Sequence, residues 1–79
     1  MLDSKQLALV YLMEESNKMS SICAKNIHAT NKRKMTPEVE KQIGIIFNAM
    51  KEVVEEFKLN EQNVEKHLFE EVDRRNNEK

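Results

Sequence analysis

The segment "TPEVEKQIGIIFNAMKEVVEEF", Thr36 to Phe57, decides the fold class. Thr36 has a hydroxyl that can cap a helix, and Pro37 then occupies the first helical position, where its missing N–H costs nothing. Glu38 and Glu40 follow in the first turn, where the helix dipole favours negative charge. Val39, Ile43, Ile46, Phe47, Met50, Val53, Val54 and Phe57 form one stripe. Within it Ile43, Ile46, Met50, Val53 and Phe57 alternate in steps of three and four, the a/d pattern of a helical bundle. Gly44 falls off the stripe and weakens the helix by about 1 kcal/mol relative to Ala. The spacing predicts a helix over residues 37–58.

Working toward the N-terminus, Asp3 or Ser4 can cap an earlier helix. Leu2, Leu9, Leu12, Met13, Ser16, Met19, Ser20, Cys23, Ala24 and Ile27 share one broad face of it, because successive residues advance by about 100°. That face continues through "MSSICA", so a helix over 4–31 is expected. Ser16, Ser20, Cys23 and Ala24 are expected on its buried stripe, where another helix can come close. Toward the C-terminus, Asn60 can cap a helix over 61–75, with Leu59 and Val64 as a hydrophobic staple. Val64, Leu68 and Val72 make a narrow stripe with Phe69 at its edge. Arg74 and Arg75 suit the dipole at the last turn, and residues 76–79 are expected to fray. The expectation is all-α: two long antiparallel helices plus a short third, in a single domain over 1–79.

Composition agrees. The 79 residues hold one Gly, one Pro, and few aromatics among many strong helix formers. So short a chain has a thin core and gains from association. Cys23 is the only cysteine, which rules out an intramolecular disulfide and fits a reducing compartment. No apolar run approaches the roughly 18 residues of a membrane span, and "MLDSKQLALVYLMEES" has no signal-peptide cleavage pattern. A cytoplasmic protein is expected. Residues 1–37 carry six basic and three acidic side chains, residues 38–79 seven basic and eleven acidic. That asymmetry favours antiparallel packing of the two halves, within a chain or between chains.

Chemical constellations are sparse. Cys23 and His28 are five apart, about 140° around a helix, where ligand pairs need spacings of three or four. His67 has no second ligand beside it. A metal site and a Cys–His nucleophile are therefore not expected. One glycine excludes Gly-rich phosphate loops, the dinucleotide-binding fingerprint and the GxSxG elbow. No cofactor is expected. Lys25, Lys32, Arg33 and Lys34 could neutralise phosphates. With a pI near 6 and no aromatic among them, they read better as a solvated interhelix loop. Nucleic acid is an alternative partner.

Glu52, Glu55 and Glu56, followed by Glu70 and Asp73, resemble the EExxE…ExxD signature of the MazG-type all-α NTP pyrophosphohydrolases. The resemblance covers about a quarter of the chain. It implies Mg²⁺ held over a nucleotide's phosphates, with Glu52 and Glu55 as the second and third acids and Glu70 and Asp73 as the last two. Lys51 stands where the first acid belongs, and no apolar helix follows Asp73. A degenerate Mg²⁺-dependent hydrolase is thus a further alternative. On their own helix Glu52, Glu55 and Glu56 are expected to face solvent.

The remaining signal is surplus apolar surface. Leu7, Tyr11, Ile22 and Ala29 form a second stripe on the first helix, and Ile45 lies off the main stripe of the second. A second apolar face calls for a further helix. The expected function is a small non-enzymatic adaptor, inhibitor or regulator. It would bind another protein through Leu7, Tyr11, Ile22 and Ile45 and complete a helical bundle as a homodimer.

Overall fold

The structure, a computed structural model, describes residues 1–27 and 37–78. Among these residues it is all-helical, with α1 (Ser4–Asn26), α2 (Pro37–Glu56) and α3 (Glu61–Asn77). The expected continuation of the first helix to residue 31, the basic loop and the Thr36 cap lie outside the described residues.

The caps explain where the helices start. Asp3 accepts from the Gln6 backbone N–H at 2.8 Å, and the Gln6 side chain accepts from the Asp3 N–H at 3.0 Å, a reciprocal capping box. The Asn60 side chain accepts from the N–H groups of Gln62 and Asn63 and starts α3. Between α2 and α3, Lys58 takes a left-handed conformation with φ 51°. The Leu59 N–H then donates to the Val54 carbonyl and the Lys58 N–H to that of Glu55. This is a Schellman ending, built on lysine where glycine is favoured. At the other end α3 runs two residues beyond the expected frayed boundary. Arg74 pairs with both Glu71 and Glu78, which binds the last turn across its expected break.

α1 and α2 form an antiparallel hairpin. Ser4 near the start of α1 donates to Glu56 at the end of α2 at 3.0 Å, and Gln42 meets Glu15 further along. The seam takes Ala8, Leu12, Glu15, Met19, Ile22 and Asn26 from α1, all buried or half-buried. From α2 it takes Val39, Gln42, Ile46, Ala49, Val53 and Glu56. Both sets run in alternating steps of three and four, the a/d spacing. Ala49 is 0% exposed and Ala8 is buried, so small side chains are among the most deeply buried in the seam.

This seam corrects the expected core. On α1 it lies about 100° from the expected stripe, so Leu9, Met13, Ser16, Ser20, Cys23 and Ala24 are exposed. On α2, Ile46 and Val53 face the seam while Ile43, Phe47, Met50 and Phe57 are exposed. The reason is local. One neighbouring helix covers only a narrow strip, and the strip chosen joins alanines to a matched polar pair rather than the largest apolar side chains.

α3 stands apart. None of its residues is buried, and it barely touches the hairpin. The chain spreads over 43 × 35 × 15 Å with a radius of gyration of 15.3 Å. A compact chain of this length has a radius of about 12 Å.

Candidate interaction surface

The two sides of the hairpin differ in chemistry. A residue one position after a seam residue is advanced by about 100°. Because α2 runs antiparallel to α1, that same advance carries both helices toward the same side. On that side α1 places Leu9, Met13, Ser16, Ser20, Cys23 and Ile27, and α2 places Ile43, Phe47, Met50, Val54 and Phe57. Glu40, which follows the seam residue Val39, is exposed at the edge of this side and is charged; the other side chains named are not. All are exposed except Val54, which is half-buried; Phe47 reaches 64% and Ile27 61%. The surface continues into α3. Phe47, Met50 and Val54 share a shallow cleft with Lys51, Glu61 and Val64, and Leu68, Phe69 and Val72 are exposed beyond it.

The opposite side is mixed. Leu7 and Tyr11 line a concavity there with Ser4, Glu14, Glu52, Glu55 and Glu56. Of the four partner-binding residues expected from the sequence, Leu7 is exposed, while Tyr11, Ile22 and Ile45 are half-buried. Leu7 and Tyr11 come together, whereas Ile22 belongs to the seam. The larger exposed apolar surface lies across the hairpin from Leu7 and Tyr11. Its signal was present in the sequence as the stripe assigned to the core.

Three polar groups sit in the seam: Glu15, Gln42 and Asn26 are all buried. Gln42 Nε2 donates to the Glu15 carbonyl at 2.9 Å and to Glu15 Oε1 at 3.1 Å. Lys18 donates to the other carboxylate oxygen at 3.0 Å. The Gln42 amide, with help from Lys18, holds the Glu15 carboxyl below its ordinary range, against the opposing effect of burial. Asn26 Nδ2 donates to the Ile22 carbonyl at 2.8 Å. Such polar positions in an apolar seam fix which residues of α1 meet which of α2.

Of the carboxylates tied to a nucleotide hydrolase, Glu52, Glu55 and Glu56 line the concavity with Leu7 and Tyr11. Glu55 is 3.8 Å from Lys51, and Glu70 is 4.0 Å from Lys66. Glu52 and Glu55 are exposed as expected, whereas Glu56 is half-buried and accepts from Ser4. Among the described residues no three His, Cys, Asp or Glu side chains are grouped to hold a metal ion. Cys23 and His67 are both exposed. Lys25 is exposed on α1, and His28, Lys32, Arg33 and Lys34 lie outside the described residues. No helix of the described residues is long and apolar enough to cross a membrane.

Comparison of the chain with protein-family models, with curated proteins and with solved structures finds no match.

Proposed function

We infer that this chain is a non-enzymatic interaction module that acts by completing a helical bundle with another helical surface. One observation carries the reading. The largely apolar side of the α1–α2 hairpin is left open, and α3 adds an apolar stripe of which no residue is buried. Contiguous apolar surface of this extent marks an association site, unlike isolated exposed leucines. Recognition would be of the helix-in-groove kind, with anchors spaced by three and four residues. The anchors are Leu9, Met13, Ile43, Phe47 and Met50. The homodimer expected from the sequence belongs to this reading.

The test uses Phe47→Glu. Phe47 is exposed and off the seam, so the variant should keep the wild-type circular dichroism. A tagged wild-type chain should retain its binding partners, untagged copies of itself included, and the variant should lose them. Retention indifferent to Phe47→Glu would overturn this reading.

A further inference from the structure

The geometry points to reciprocal exchange of α3 between two copies of this chain: α3 of each copy seats in the apolar trough of the other copy's α1–α2 hairpin. This rests on the reading of that side as an interaction surface, and it names the occupant.

Two observations identify the occupant. The first is fit. The chain carries an open two-helix trough, with Leu9 and Met13 on one wall and Ile43, Phe47 and Met50 on the other. It also carries a single helix with a narrow stripe, Val64, Leu68 and Val72, all exposed. A trough needs a helix and a stripe needs a trough, and each chain supplies one of both. Two copies related by a two-fold axis satisfy both needs at once.

The second is area. The chain exposes 6915 Å². A compact monomer of 9.3 kDa exposes about 5,000 Å². The surplus is roughly 1,900 Å² per chain, or roughly 3,800 Å² for a pair, within the roughly 2,000–5,000 Å² that obligate homodimers bury.

After the Schellman turn at Lys58 only the first turn of α3 stays beside its own hairpin, and Leu68 and Val72 further along are exposed and available for exchange.

The experiment mixes isotope-labelled and unlabelled full-length chains. Filtered NMR then records only contacts between copies. Sedimentation equilibrium on the same protein should give twice the 9.3 kDa chain mass. Contacts between copies should join the methyl groups of Val64, Leu68 and Val72 to Leu9, Met13, Ile43 and Phe47. Leu68→Glu, at an exposed position, should retain helix content and weaken the dimer about thirtyfold or more, as loss of an interface anchor does. A dimer in which only the hairpins touch each other, or one unaffected by Leu68→Glu, overturns the exchange. A monomer, with α3 closed on its own hairpin or left free, also overturns it. If that monomer still captures another protein through Phe47, the interaction reading stands while the exchange falls.

Discussion

At the scale of single residues, two side chains hold conformations that a substitution can probe. Lys58 is left-handed, with φ 51°, a region that costs an L-residue about 1 kcal/mol or more relative to glycine. Lys58→Gly should therefore stabilise the fold by about 1 kcal/mol in urea denaturation, since the Schellman bonds need only backbone. Glu15 provides a pH signature. Its carboxyl is held low by the Gln42 amide and then by Lys18. Its contribution is fully present above the unfolded carboxyl value of about 4.3 and is lost as pH falls through the lower folded value. Gln42→Met removes the larger cause, so it should flatten the rise in stability between the acid range and neutrality. The check is a series of urea midpoints against pH for both proteins; equal slopes would remove Glu15 as the source.

At the scale of elements, the seam and α3 stand at opposite extremes. Ala49 is fully buried in the α1–α2 seam. Ala49→Leu should overpack that point and destabilise by about 1–3 kcal/mol, whereas Met50→Leu one position on, on the open side, should change stability little. α3 has 17 residues and buries none of them. Helices of about that length are marginal in water without tertiary packing, even with good caps. Its amides should exchange rapidly at low protein concentration and gain protection as concentration rises. Those of the α1–α2 seam should be less sensitive. Hydrogen exchange at two concentrations reads both.

At the scale of the whole molecule, the chain has more apolar surface than one copy can cover. Ala8, Val39 and Ala49 are its buried hydrophobic residues among those described, and two of the three are alanines. At roughly 25 cal/mol per Å² of apolar area, so small a core offsets little of the conformational entropy lost on folding. In the proposed dimer folding and association are linked, so the thermal midpoint should rise with protein concentration. Differential scanning calorimetry over a hundredfold concentration range checks this. A constant midpoint would mean that the isolated hairpin is stable by itself.

The sequence by itself determined the helices and where they start. Asp3, Pro37 and Asn60 act through backbone groups a few residues away, and their effects need no knowledge of what lies across the fold. The charge asymmetry of the two halves favoured an antiparallel order of α1 and α2 without determining it. The surplus of apolar surface was also legible, because it follows from counting faces. Which face is surplus was not. Leu9, Met13 and Phe47 looked like core because large side chains dominate any helical wheel. The hairpin instead closed on Ala8 and Ala49, with the Gln42 amide satisfied by Glu15, and left the large side chains outside. The outward course of α3 likewise depends on Lys58 adopting a conformation that lysine does not favour. Local signals set elements because their energies are local. The choice of buried face depends on close approach and polar pairing between residues 27 positions apart, and only the tertiary structure brings those together.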